Sequence, residues 1–163
     1  MTEFTHLDDQ GRVRMVDVAD KDVTKRVAVA RGRIEMTADT LDRITGSTVK
    51  KGNVFEAARI AGVMAAKKTA DLIPMCHPLN LTHVRVDFFP DPANNAIEIE
   101  AEASLAGRTG VEMEALTAVS VAALTIYDMC KSYDKGMVIS DIHLKTKTGG
   151  KSGTFVAERY DHK

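Results

Sequence analysis

Apolar side chains recur every second residue in some stretches of this chain and every third or fourth in others. Val84, Val86 and Phe88 alternate with Arg85 and Asp87. Beyond a Pro-Asp-Pro-Ala-Asn-Asn turn, Ile97, Ile99, Ala101 and Ala103 alternate with Glu98, Glu100 and Glu102. Period-two alternation predicts a hairpin with one buried face and one wet face. Val27 and Val29 sit at strand spacing within residues 24–36, which predicts a third strand. Residues 40–46 read as a short helix stopped by Gly46. A second helix opens at Asn53, with Glu56 three residues on in a pair like a capping box. Its small residues, Ala57, Ala58, Ala61, Gly62, Ala65 and Ala66, permit close approach to a neighbour. Pro74 and Pro78 bracket a loop holding Met75, Cys76 and His77. A long helix is predicted from Gly110 to Tyr133, then a strand around Met137–Leu144. Residues 145–153 form a basic segment rich in glycine. The order is strand, helices, strand, strand, helix, strand. It predicts an α+β fold of the ferredoxin-like split βαββαβ type, an antiparallel sheet with helices packed on one face. With no linker or repeat, residues 1–163 read as a single domain with a flexible N-terminal segment and a Gly/Lys-rich C-terminal tail.

Composition narrows the function. A chain of 163 residues buries roughly 70% of its unfolded surface, enough for one sizeable core. Lys and Arg number 22 against 23 Asp and Glu, a net charge of −1. That balance argues against coating nucleic acid or an anionic membrane, though a local basic pocket for a small anion remains open. The apolar fraction of 44% excludes a disordered chain. No stretch reads as the run of about 20 apolar residues that a membrane helix needs, and residues 1–6 lack the features of a secretion signal. Cys76 and Cys130 form no CxxC pattern, so a reducing, cytoplasmic setting is expected.

Several motifs suggest chemistry. Gly150-Lys151-Ser152 invites a phosphate-loop reading, but that pattern requires glycine at 145, where this chain has Lys145. A flexible tail and a mobile phosphate-binding arm are the alternatives. Cys76, His77, His83, Cys130 and His143 lack the paired spacing of structural zinc ligands, so no metal site is expected. Cys76 and His77 read better as pocket lining than as nucleophile and base. Asp128 and Lys131, three apart on one helix face, are either a surface ion pair or an acid–base couple in a cleft. Glu112 and Glu114 begin the same helix, where the dipole favours carboxylates; a carboxylate there could also accept from a guanidine-like N–H edge. Lys50-Lys51-Gly52 precedes the second helix and is a solvated pair or an anion site.

Together these segments resemble one family, the cyclic pyranopterin monophosphate synthases, or molybdenum cofactor biosynthesis protein C. The resemblance rests on Met15-Val16-Asp17-Val18 with Lys21, Thr24-Lys25-Arg26, Lys51-Gly52, and Ala58-Arg59-Ile60-Ala61-Gly62. It continues through the block from Leu72 to Leu79, the unbroken block from Thr109 to Lys131, and Gly149-Gly150-Lys151-Ser152-Gly153. It covers residues 5 to 153. It implies a lyase that converts the GTP-derived (8S)-3′,8-cyclo-7,8-dihydroguanosine 5′-triphosphate to cyclic pyranopterin monophosphate with release of diphosphate. Asp128 and Lys131 match the family's catalytic pair. Arg26, Lys51, Met75, Cys76, His77, Glu112, Met113, Glu114 and Lys147 match positions that bind substrate. No cofactor is implied, although Mg²⁺ could accompany the triphosphate. The resemblance also implies a homohexamer, a trimer of dimers, with the active site at a subunit interface. A non-catalytic ferredoxin-like module that binds a purine nucleotide is the alternative.

Overall fold

The computed structural model describes residues 10–158; the outermost parts of the two predicted loose ends lie outside the described residues. The strand β1 (Thr24–Glu35) is followed by helices α1 (Ala38–Thr45), α2 (Val54–Lys67) and the single turn α3 (Thr69–Leu72). The hairpin β2 (His83–Asp91) and β3 (Ala96–Gly107) comes next, then α4 (Glu112–Cys130), β4 (Val138–Thr148) and a two-residue β5 (Phe155–Val156). The sheet order is β2-β3-β1-β4-β5, and every pairing is antiparallel. The first four of these strands have the order of the predicted split βαββαβ fold, because each crossover returns two places away and leaves room for one inserted strand.

One face of the sheet is apolar and covered. Ala28, Ala30, Ile34, Ile97, Ile99, Ala101 and Ala103 have no solvent exposure and lie in one core with Ala115, Ala118, Val119, Ala122, Ala123 and Ile126 of α4. The opposite face carries the intervening charges in crossed pairs: Arg31 meets Glu100 at 2.8 Å, and Lys145 reaches the same carboxylate at 3.2 Å. Alternation along β1 and β3 thus chooses the buried side, since a one-residue slip would bury a ladder of charges. α2 packs beside α4 on the apolar face. A Cβ on Gly62 would lie 3.0 Å from the Ala118 carbonyl and 3.1 Å from Val86, so the small residue sets how closely the two helices approach. The Asn53 side chain accepts from the Glu56 N–H at 3.1 Å, as its spacing predicts.

Three details differ from the sequence reading. Lys145–Thr148 belong to β4 rather than to a tail, because Val27, Ala28 and Val29 of β1 pair with Thr148, Lys147 and Thr146 and extend the strand. α4 stops at Cys130, so Lys131 caps the helix instead of lying inside it. By length and composition α4 could also cross a membrane. Its alanine-rich sequence averages apolar despite Glu112, Glu114 and Asp128, and here ten of its residues are buried by its own fold.

Candidate active site

The residues singled out from sequence gather in two clusters, one at each end of α4. At the C-terminal end, Lys131 Nζ lies 2.7 Å from Asp128 Oδ1. Lys51, from the loop before α2, places Nζ 3.3 Å from Asp128 Oδ2 and 2.7 Å from the Asp128 carbonyl oxygen. Carbonyls in the last turn of a helix lack internal donors, which makes them a natural seat for an ammonium group. The Asp128 carboxylate is therefore clamped by two cations. The hydrogen bond from Lys131, then that from Lys51, holds its pKa below the ordinary value. Asp128 in turn holds the Lys131 ammonium above its ordinary value. Lys131 thus rests as a charged proton donor. Cys130 is buried beside them, and desolvation pushes its thiol up to about 11, so it is no nucleophile at neutral pH.

At the N-terminal end the structure separates two acids that the sequence could not tell apart. Glu112 Oε1 takes Lys147 Nζ at 2.8 Å and is committed to that ion pair. Glu114 is only 3% exposed and has no ion-pair partner among the described residues. Burial, aided by the charge of Glu112 and opposed by the Glu114 N–H, pushes its carboxyl up to about 7. Glu114 is thus the carboxyl able to exchange a proton near neutral pH. His77 Nε2 is 2.9 Å from the Val16 carbonyl, an acceptor, so this nitrogen carries the proton and a neutral ring leaves Nδ1 to accept. Burial, and then the Glu114 charge, raises the Cys76 thiol, which fits pocket lining rather than thiolate attack.

Two cavities meet over this end. One, of about 600 Å³, is lined by Lys21, Arg26, Arg108, Lys147 and Lys151 against only Asp22 and Glu112. Its lining is cationic within a protein of almost neutral net charge. Arg26 is fixed at its wall by donating from Nε to the Gly107 carbonyl at 3.2 Å and from Nη2 to the Arg108 carbonyl at 3.3 Å. Gly149 and Gly150, at φ +99° and +75°, pass so close that a Cβ on Gly150 would overlap the Arg26 guanidinium. The adjoining cavity, of about 300 Å³, is lined by Met75, Cys76, His77, Met113 and Glu114. The two share Lys21, Thr109, Gly110 and Glu112 along a common wall. A phosphate-bearing molecule with a polar ring fits this division into a cationic half and a neutral half.

Arg108 was missed in the sequence. It stands in the Arg-Thr-Gly loop just ahead of α4, and a cation before a helix N-terminus is the signal that could have found it. Lys51, which the sequence leaves open as an anion site, sits at the opposite end of α4, against Asp128. Asp128 and Glu114 are 128 − 114 = 14 residues apart, about 21 Å at about 1.5 Å per residue. One chain therefore does not bring its two clusters together.

Known proteins place this arrangement in context. The MoaC family model matches residues 15–150. The chain is 89% identical over 162 residues to the cyclic pyranopterin monophosphate synthase of Desulforapulum autotrophicum, covering 99% of each protein. It is 66% identical over 158 residues to the protein of that name from Desulfatibacillum aliphaticivorans, covering 97% of this chain and 99% of the other. The one from Chloroflexus aurantiacus is 60% identical over 157 residues, 96% of each. With a family match spanning both ends of α4 and likeness running the length of the chain, this protein belongs to the MoaC family.

Proposed function

We propose that this protein is a cyclic pyranopterin monophosphate synthase, the lyase of molybdenum cofactor biosynthesis that converts (8S)-3′,8-cyclo-7,8-dihydroguanosine 5′-triphosphate to cyclic pyranopterin monophosphate and diphosphate. The observation that carries this reading is the placing of a strongly cationic cavity and a cation-clamped carboxylate on one helix, in a chain 89% identical to a protein of that name. The cations of the large cavity neutralise the triphosphate and stabilise the departing diphosphate. Opening a guanine-derived ring and closing it as a pterin moves protons among nitrogen and oxygen atoms. Lys131 supplies a proton, and Asp128 holds that lysine in place and in its charged form. Glu114 exchanges a proton with the N–H edge of the ring. These steps call on no redox cofactor, and Mg²⁺ would arrive with the triphosphate.

The site belongs at a subunit interface. Two α4 helices running antiparallel across a two-fold axis bring the Glu114 end of one chain to the Asp128 end of the other. Ala115, Ala118, Ala122 and Ala123 have side chains small enough to suit the close packing of such a pair. All four are fully buried within their own chain, because small side chains are what let α4 lie close to the sheet and α2. The outward stripe of α4 instead runs from Met113 through Ser120 and Leu124 to Asp128, and Leu124 is 57% exposed. A single domain so paired supplies two equivalent sites, and three such dimers make the expected hexamer. The setting is the cytoplasm, where the two free thiols stay reduced.

Incubating the purified protein with the cyclic triphosphate tests the function. One diphosphate and one pterin chromophore per substrate are expected. Saturable binding without diphosphate release would favour a nucleotide-binding module, and neither binding nor release would overturn the reading.

A further inference from the structure

Lys51 sits in a solvent-exposed turn, yet its ammonium group is aimed at one end of α4, and something must hold the turn there. The turn runs from Val49 to Gly52, closed by the Gly52 N–H donating to the Val49 carbonyl at 3.0 Å, with Gly52 at φ +104°. Within it the Lys50 backbone N–H donates to Tyr133 Oη at 3.1 Å. Tyr133 follows Lys131 by two residues, and its own N–H returns to the Cys130 carbonyl at 2.8 Å. Arg43 of α1 lies over the Tyr133 ring, 5.0 Å from its centroid. The Arg43 guanidinium is braced in turn by Asp39 at 2.7 Å. Asp134, the next residue, accepts from the Thr37 N–H ahead of α1 at 2.8 Å. α1 therefore buttresses the turn that follows α4, and Tyr133 passes that support to the loop carrying Lys51.

We propose that Tyr133 is a positioning residue: its hydroxyl anchors the backbone of the Lys51 turn, so that Lys51 and Lys131 close on Asp128 from two sides. The consequence for catalysis rests on the proposed function, whereas the anchoring itself does not. A long lysine side chain on an exposed loop has wide rotamer freedom. Fixing the backbone one residue away confines the arc that Nζ can sweep. The ring alone cannot do this, because the contact to Lys50 is made by the oxygen.

Tyr133→Phe keeps the ring beneath Arg43 and removes only the acceptor. The first readout needs no substrate. Lysines of the full-length protein are acetylated with an N-hydroxysuccinimide ester, and each rate is followed by mass spectrometry. In Y133F the rate at Lys51 should rise about three- to tenfold, the range that loss of one neutral hydrogen bond supports, while exposed Lys25 on β1 stays unchanged. An unchanged Lys51 rate, or an equal rise at both lysines, would overturn the anchoring. The second readout is the pH profile of turnover. With Lys51 released, Asp128 loses one of its two cations, and the acidic limb of kcat/KM should move to higher pH in Y133F. A merely structural tyrosine would lower the profile without moving it, and that result would also refute the proposal. A wild-type protein that fails to turn over the cyclic triphosphate would defeat the proposed function while leaving the labelling result readable.

Discussion

Replacing Glu114 with glutamine isolates the energetic consequence of a buried carboxyl with no ion-pair partner among the described residues. Its pKa stands at about 7 against an ordinary 4.5. At about 1.4 kcal/mol per pKa unit that gap corresponds to about 3.5 kcal/mol. Glu114 borders cavities on two sides through which water screens the charge, so about 2 kcal/mol is the better expectation. The folded protein holds the proton more tightly than the unfolded chain, whose carboxyl ionises first as pH rises. Stability from this group is therefore complete below pH 4.5, declines between 4.5 and 7, and is lost above 7. Urea unfolding of wild type and Glu114→Gln at one fixed protein concentration, from pH 4.5 to 8, reads this directly. Every other titrating group cancels in the difference between the two curves. Relative to the variant, wild type should lose about 2 kcal/mol across that window, with most of the change between pH 5 and 7. Two curves that stay parallel to within about 0.5 kcal/mol would refute the assignment of a neutral, buried acid at this position.

Asp128→Ala and Lys131→Ala should each abolish turnover while shifting Tm by no more than a few degrees, since exposed ion pairs contribute little to folding; kcat measured beside a thermal melt checks both halves. Lys147→Ala should weaken binding of the cyclic triphosphate about ten- to a hundredfold, part of it because Glu112 then faces the phosphates unpaired. Adding Glu112→Gln to that variant should recover part of the loss, and titration of all three proteins decides it. Unfolding Glu114→Ala and Asp128→Ala together and refolding the mixture should restore roughly a quarter of wild-type activity, since half of randomly paired dimers are mixed and each holds one intact site. Verified subunit exchange with no recovered activity would exclude a site drawing these residues from two chains.

Much of this protein was determined locally. The alternation in β1, β2 and β3 and the Asn53 cap are patterns among residues a few positions apart, so they were legible in the chain. The pairing of Asp128 with Lys131 was legible for the same reason, because a three-residue step on a helix places two side chains on one face. Tertiary structure decided the rest. Lys51 meets Asp128 across 77 positions of sequence, a contact that depends on how α2 and α4 pack. Glu112 and Glu114 carry the same chemistry two residues apart, yet one turns out to Lys147 and the other turns in. Burial therefore separates what sequence leaves equivalent, since desolvation acts on the surroundings of a group and not on its identity. The alanines of α4 show the same limit from the other side. Their size announced close packing, but only the fold could say that the close neighbours are the protein's own sheet and α2, because small residues permit contact without choosing a partner.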